Sequence, residues 1–311
     1  MELIRHEIPF ESRGYLELLG RIFGQEEADL ERIQVNGSEN AYNEDIAFTV
    51  EDGGEVLGTS HITFSGQDRR IAGLSGLCTD PRIRGTGMGK KLFGAMVEEA
   101  DAHQVEASFL GTNNPMAAEL YAGFGYAYIP GTYTMARFSG TNRFRFFRRF
   151  LEKPERVEIR KLDPGFRIPV IPLLLNEGPG FLMDSNAGIF NNREVTQVST
   201  MGLYPKYLEI ARNGGEVFGL CSADGLAGGL ASVRRGQERP TADFFVCPGF
   251  SEESIRLIRA VREAEPEAVF AVSEADSAKQ EMLLSAGWKK TAREKRNYGN
   301  IRAELEIWET G

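Results

Sequence analysis

The stretch Asp80-Pro81-Arg82-Ile83-Arg84-Gly85-Thr86-Gly87-Met88-Gly89-Lys90-Lys91 packs three glycines into five residues and sets basic side chains on both sides of them. Glycines at this density let the backbone approach a ligand closely with several N–H groups pointing outward, as a pyrophosphate requires. A glycine-rich loop alone is equally a flexible turn, and charge placement is what distinguishes the two readings. The segment runs into an amphipathic helix with Leu92, Phe93, Met96, Val97 and Ala100 on one face. A helix favours acids in its first turn and bases in its last, each worth about 0.3–1 kcal/mol. Here Arg82, Arg84, Lys90 and Lys91 crowd the start, while Glu98, Glu99 and Asp101 sit at the end. A bound polyanion offsets the reversed charge at the first end, so a phosphate-bearing ligand is expected there.

Alternation in Ile46 to Val50, the turn Glu51-Asp52-Gly53-Gly54 and the run Val56 to Phe64 predict a β-hairpin, with a third strand at Ile71 to Thr79 leading into the glycine loop. Beyond the helix come a strand at Ala107 to Gly111 and a helix from Pro115 to about Gly123, which places Asn114 at a helix start and Tyr121 on the helix itself. Asn before Pro is also what a plain N-cap looks like. The segment 138–156 interleaves Arg143, Arg145, Arg148, Arg149 and Lys153 with Phe144, Phe146, Phe147 and Phe150. It reads as an interdomain connection in which Arg stems cover phenyl rings, in preference to an RNA or membrane patch.

The second half repeats the first in outline: a hairpin at Val217 to Cys221 and Leu226 to Arg234, a strand at Ala242 to Cys247, a helix, a strand at Ala268 to Ser273, and another helix. Cys78 corresponds to Cys247, an offset of 169, and Gly125 to Gly287, an offset of 162, so seven residues are missing from the stretch that carries the glycine loop in the first copy. The second copy's helix starts Ser251-Glu252-Glu253-Ser254 and ends with Arg259 and Arg262; a capping serine is expected, with acids first and bases later. Leu283 stands where the first copy has Tyr121. Cofactor loop and phenol disappear together.

A length of 311 residues with 41% hydrophobic side chains sets two domains as the expectation. No apolar run approaches the roughly 20 residues that cross a bilayer, and Met1 to Glu7 lacks a signal-peptide core, so a cytoplasmic location is expected. Three cysteines, Cys78, Cys221 and Cys247, cannot all pair within one chain and show no metal-ligand spacing, so no metal is expected. A formal net charge of −9 argues against nucleic acid as the main partner and is compatible with a cationic acceptor.

The pattern Arg84-Gly85-Thr86-Gly87-Met88-Gly89, together with Asn114, Leu120-Tyr121 and Gly125-Tyr126 downstream, resembles the two cofactor motifs of the GCN5-related N-acetyltransferases (GNATs). The resemblance implies two tandem α/β domains, each a mixed, mostly antiparallel twisted sheet flanked by helices: a catalytic domain over 1–137 and, after the connection at 138–156, a degenerate copy over 157–311. It implies acetyl-CoA as acyl donor, with the amides of Arg84, Gly85, Thr86, Gly87, Met88, Gly89 and Lys90 on the pyrophosphate. The edge of Leu77, Cys78 and Thr79 would lie along the pantetheine, Asn114 would touch the same arm, and Tyr121 would act as general acid to the departing thiolate. The acceptor would be an amine of a small molecule or peptide, attacking the thioester directly. For the general base, Glu44, Asp45 and His61 are the candidates; His61 is equally a buried, satisfied histidine or a surface residue. Cys78 has no basic partner in the sequence and reads as a packing residue. A non-catalytic acyl-CoA sensor is the competing reading, against which the retention of Tyr121 speaks, and a basic-patch RNA-binding protein is a third.

Overall fold

In the computed structural model, which describes residues 1–176, 181–191, 200–236 and 239–310, the first half is organised around strands buried on both faces. Ile46, Phe48 and Val50 of β2 (Asn43–Asp52) pack with Ile62 and Phe64 of β3 (Glu55–Ser65) against Leu92, Phe93 and Met96 of α3 (Met88–Ala102). The intervening Ala47 packs on the other face, against Tyr15, Leu18 and Leu19 of α1 (Arg13–Phe23) and Val35 of α2 (Gln25–Val35). The period of two thus sends alternate residues to two different helical layers.

With β1 (Glu2–Glu7), β4 (Ile71–Thr79), β5 (Ala107–Gly111), β6 (Ala127–Tyr128) and β7 (Thr134–Phe138), these strands form one sheet in the order β1-β2-β3-β4-β5-β7-β6. Every pair is antiparallel except β4–β5. Two irregularities in β4 matter. Its parallel pairing to β5 covers only Ile71, Ala72 and Gly73, after which the strands part. On its other side the register with β3 shifts between Thr59, opposite Cys78, and His61, opposite Ser75, so Gly76 and Leu77 bulge against Ser60 alone. Gly76 carries a φ of +63°, which an L side chain rarely adopts.

The second half contains α5 (Arg143–Arg148), β8 (Val157–Lys161), α6 (Val170–Leu175), a two-stranded ribbon of β9 (Leu182–Asp184) and β10 (Ile189–Phe190), α7 (Leu203–Arg212), β11 (Glu216–Ser222), β12 (Ala227–Arg234), β13 (Thr241–Val246), α8 (Ser254–Ala264), β14 (Val269–Ser273), α9 (Ser277–Ser285), β15 (Trp288–Tyr298) and β16 (Ile301–Thr310). Its large sheet, read from β8, runs β8-β11-β12-β13-β14-β16-β15, again antiparallel throughout except at β13–β14. Position by position this is the strand order and orientation of the first sheet. The expected fold class, two α/β domains with mixed, mostly antiparallel sheets flanked by helices, is therefore the one found.

One compact unit contains Met1–Ile129, Tyr133–Arg143 and, from far along the chain, Thr200 and Met201. The other contains Pro130–Thr132 and the remaining described residues from Phe144 onward. In the arginine and phenylalanine segment Phe146 and Phe150 are buried, and the Arg149 guanidinium lies 4.4 Å from the Phe146 ring centroid and 5.5 Å from that of Phe150. Cationic stems do cover phenyl rings there.

The expected serine cap of the second copy's helix is not found. Residues Pro248–Glu253 form a 3-10 turn, the α-helix starts only at Ser254, and the Ser251 hydroxyl donates to Pro248 O at 2.9 Å. A proline that starts a tight turn moves the helix start three residues on, out of reach of that hydroxyl. Among the described residues no helix is long and apolar enough to cross a membrane, no cluster of metal-ligating side chains occurs, and all three cysteines are buried and free.

Candidate active site

The glycine loop links β4 to α3. Asp80 accepts from the Arg82 amide at 3.0 Å, and Thr86 Oγ1 donates to Ile83 O at 2.6 Å, which fixes a tight turn. Gly85 (φ +78°) and Gly87 (φ +87°) take left-handed conformations, and Gly87 begins the helix without any side-chain cap. A Cβ at Gly85 or Gly87 would meet nothing within 4 Å, and one at Gly89 only the Thr79 methyl at 3.8 Å. The protein's own packing does not demand glycine at 89.

The first N–H groups of a helix have no intrahelical acceptor. At α3 the Lys91 amide is satisfied by Gly87 O at 3.1 Å, which leaves the amides before it for a partner outside the helix. The cations sort into two sets. Arg82 is engaged by Asp80 and by Glu55, so it braces the turn and is not one of the free cations expected. Arg84, Lys90 and Lys91 form no ion pair among the described residues. At the far end of α3, Glu99 pairs with Arg5 at 2.5 Å and Asp101 with Arg137 at 2.7 Å. The reversed charge is thus neutralised at one end from within the protein and left open at the other.

Where β4 and β5 part, a cleft of about 250 Å³ opens. Leu77 and Asn114 line it with Tyr121, Ser75, Gly76 and Phe23. Three of the predicted site residues, Leu77, Asn114 and Tyr121, therefore meet in one cleft; the loop residues Arg84–Lys90 lie at the helix start, and Cys78 and Thr79 do not line the cleft. Beyond Gly73 the β5-facing edge of β4 has no strand partner among the described residues. Asn114 Oδ1 accepts the Met116 amide at 3.1 Å, so it caps α4 (Pro115–Ala122) while bordering the cleft. Tyr121 is nearly buried, its ring 4.5 Å from that of Phe93, and burial reinforced by nearby Tyr128 pushes its phenol up to about 12. Cys78 is buried on the α1 side, and burial, despite a contact of 3.1 Å to Thr59 Oγ1, pushes its thiol up to about 11; it is no nucleophile at neutral pH.

Residues 13–126 match the family model described as the acetyltransferase (GNAT) family. Residues 13–126 form a GNAT domain. Solved structures similar to this chain include ElaA of Escherichia coli, at 17% identity over 44% of this chain and 99% of that one, with a TM-score of 0.36. The GNAT protein YhbS of Escherichia coli in complex with CoA is similar at 20% identity over 44% of this chain and 82% of its own, with a TM-score of 0.35. A GCN5-related N-acetyltransferase of Kribbella flavida covers 99% of this chain and 70% of its own at 13% identity, with a TM-score of 0.40. No curated protein matches the chain.

The base candidates separate within the GNAT domain. Glu44 is exposed and pairs with His103 at 3.1 Å, away from the cleft. His61 and Asp45 are buried together with a residue the sequence reading missed, Glu31 of α2. His61 Nδ1 lies 2.7 Å from Glu31 Oε1, and Nε2 lies 2.9 Å from Asp45 Oδ1. Tyr15 donates to Glu31 at 2.9 Å, and Thr63 Oγ1 donates to Asp45 Oδ1 at 2.7 Å. Burial alone would lower the His61 pKa, but attraction to Glu31 and hydrogen bonds to Asp45 and Glu31 outweigh it and raise it to about 10. Burial would likewise raise Glu31, yet the His61 charge and the hydrogen bonds from His61 and Tyr15 hold it below its ordinary range.

The corresponding place in the second unit is closed. Gly125 and Gly287 share left-handed φ values of +87° and +83°, and Asn114 and Asp276 each cap their helices, which fixes the equivalence of α4 and α9 at an offset of 162. On that alignment Ala117, a cleft residue of the GNAT domain, becomes Lys279 (279 − 117 = 162). Lys279 is buried, and its Nζ donates to Asp243 Oδ1 and Met183 O, both at 2.8 Å. A cavity of only about 40 Å³ remains beside it. Burial pushes Asp243 up to about 7 against the opposing pull of Lys279.

Proposed function

We propose that the GNAT domain is an acetyl-CoA-dependent N-acetyltransferase acting on an amine of a small molecule or peptide, and that the second unit binds no CoA. The observation that carries this reading is the parting of β4 from β5, which gives one cleft a free strand edge on one wall and Tyr121 on the other, beyond a loop of open amides and unpaired cations. The amides of Gly85 and of Gly87 to Lys90, with the Arg84 and Lys90 side chains, suit a pyrophosphate, and Gly89 leaves room for it. The Arg84 and Thr86 amides, also expected there, already donate to Pro81 O and Ile83 O at 3.3 Å. The open edge of Leu77-Cys78-Thr79 suits the amides of a pantetheine arm laid down as an added strand. Asn114, besides capping α4, borders the same arm's path. The bulge at Gly76 and Leu77 interrupts the ladder at this cleft's wall, where a backbone amide of β4 would suit a thioester oxygen that gains charge.

Bound acetyl-CoA supplies an acyl carbon that the acceptor nitrogen attacks; the C–N bond forms, the C–S bond breaks, and the thiolate takes a proton. Tyr121 suits that last step because its buried phenol stays protonated at neutral pH. Three buried free thiols and no helix, among those described, that could cross a membrane support a cytoplasmic setting.

The test is thiol release from acetyl-CoA across a panel of amines, with calorimetric titration of CoA, in wild type and Tyr121→Phe. The expected result is turnover on at least one amine, a loss in kcat of about 10²–10⁴-fold in the variant, and CoA affinity unchanged within about threefold. Tight CoA binding with no turnover on any amine would instead identify an acyl-CoA sensor.

A further inference from the structure

Among the described residues, none that lines the cleft of the GNAT domain carries a formal charge at neutral pH. Charge lies directly behind one wall. Ser75, half-buried on that wall, has its Oγ 3.3 Å from Glu31 Oε2 and 3.4 Å from His61 Nδ1. Behind it, a carboxylate oxygen faces each ring nitrogen of His61, Glu31 at 2.7 Å and Asp45 at 2.9 Å. A carboxylate oxygen beside each ring nitrogen favours a proton on both, and with both carboxylates ionised the three groups together carry one surplus negative charge. The groups hydrogen-bonded to them, Tyr15 of α1, Gln34 of α2, Thr63 of β3 and Ser75 of β4, are uncharged, and Glu27, one turn before Glu31 on α2, adds a further carboxylate whose pKa is raised by burial and by Glu31.

A structural role explains this cluster poorly. Removing an ion from water costs several kcal/mol, and an arrangement of two carboxylates about one ring recovers less of that than a matched pair does. Its position explains more: charge directly behind the wall of a partly enclosed cleft is screened less by water and salt than charge on an open surface.

We propose that the Glu31–His61–Asp45 cluster selects the acceptor, so that the cleft takes a cationic amine, seated as an ammonium at the Ser75 wall, in preference to an uncharged molecule of the same shape. The inference rests on the acyltransfer reading above. The ammonium gives one proton to solvent before its lone pair attacks the acyl carbon. The nitrogen, positive once the C–N bond has formed, then loses a second proton while the thiolate receives the Tyr121 proton and the phenol is restored. The net products are the amide, CoA thiol and one proton. The surplus charge favours both cationic stages.

The test uses the full chain with CoA, which carries no acyl group and so permits no turnover. Calorimetry follows binding of matched ammonium and alcohol pairs, from ethylammonium and ethanol to phenethylammonium and 2-phenylethanol. The ammonium should bind about tenfold or more tightly than its alcohol in at least one pair. The preference should persist from low to high salt, survive Ser75→Ala, and fall to about threefold or less in Glu31→Gln. Asp45→Asn removes the same surplus from the other side of the ring and serves if Glu31→Gln does not fold, with CoA affinity as the check on each. Equal affinity within every pair, or a preference that survives removal of either carboxylate, overturns the inference and leaves the acyltransfer reading standing. Failure of CoA itself to bind overturns that reading and this one with it.

Discussion

Raising the pH should unload the His61 cluster at a rate that the structure sets. His61 is fully buried, with its pKa raised from an ordinary 6.5 to about 10. The folded state therefore binds the proton more tightly than the unfolded chain. The stability this contributes is complete below about pH 6.5 and is lost as pH rises toward 10. Each pH unit is worth about 1.4 kcal/mol, so the GNAT domain should lose about 3 kcal/mol between pH 6.5 and 9. That window stops short of the range where Cys78, whose thiol is pushed up to about 11, adds a loss of the same sign. Both tryptophans, Trp288 and Trp308, lie in the second unit, so their fluorescence is the wrong probe. Amide exchange in β2 and β3 reads the right unit, and imidazole ¹⁵N spectra read the cause. The His61 ring should keep protons on both nitrogens at pH 9, where His6, lowered by burial, is neutral. A His61 ring that shows one protonated nitrogen at pH 7.5, or a GNAT domain equally stable at pH 6.5 and 9, would refute both the imidazolium and the surplus charge built on it.

Ala117→Lys should carry the second unit's plug into the first: the longer side chain would fill the cleft that Leu77, Asn114 and Tyr121 share, and CoA affinity should fall at least about 100-fold in calorimetry. Conversely, Lys279→Met strands Asp243 as a buried carboxyl and should destabilise the second unit by about 3–5 kcal/mol in denaturant unfolding followed by tryptophan fluorescence, less below pH 7 where the raised Asp243 is protonated. Gly76→Ala should lower the stability of the first unit by about 2 kcal/mol or more by amide exchange, because its φ is +63° and the new methyl would sit 2.7 Å from the Tyr15 hydroxyl. Arg84→Ala with Lys90→Ala should weaken CoA binding and flatten its salt dependence, whereas Arg82→Ala, whose cation is already engaged, should act chiefly on thermal stability.

The hairpin β2–β3, the strand β4, the glycine loop and α3 were legible because each is written in consecutive residues: alternation, then a left-handed turn, then a 3.6-residue stripe. The cleft residues Asn114 and Tyr121 were legible through motif spacing alone. Glu31 was not. It sits in Gln25–Val35, a helix whose sequence is mostly polar, and nothing local says that one of its carboxylates is buried. Its partners are 14 and 30 residues further on, at Asp45 and His61, brought together only by the register of β2 on β3 and the layering of α2 beneath them. Arg82 was misread for a related reason: its charge was visible, but Glu55, which cancels it, enters from another strand. At Ser251 the composition of a cap was present without its geometry, since Pro248 begins a different turn upstream.

Thr200 lies 66 residues beyond Thr134 in sequence, yet their hydroxyls meet at 2.6 Å inside the first unit, and its backbone closes over Gly111 at the end of β5. The gene therefore holds no single cut that yields an intact N-terminal half. A fragment ending near residue 143 would carry the whole glycine loop but expose the end of β5 and remove the Thr134–Thr200 hydrogen bond, at a cost of about 0.5–1.5 kcal/mol. The protein is stitched, not strung: a truncation series meant to isolate the GNAT domain would report the loss of that stitch as a loss of function.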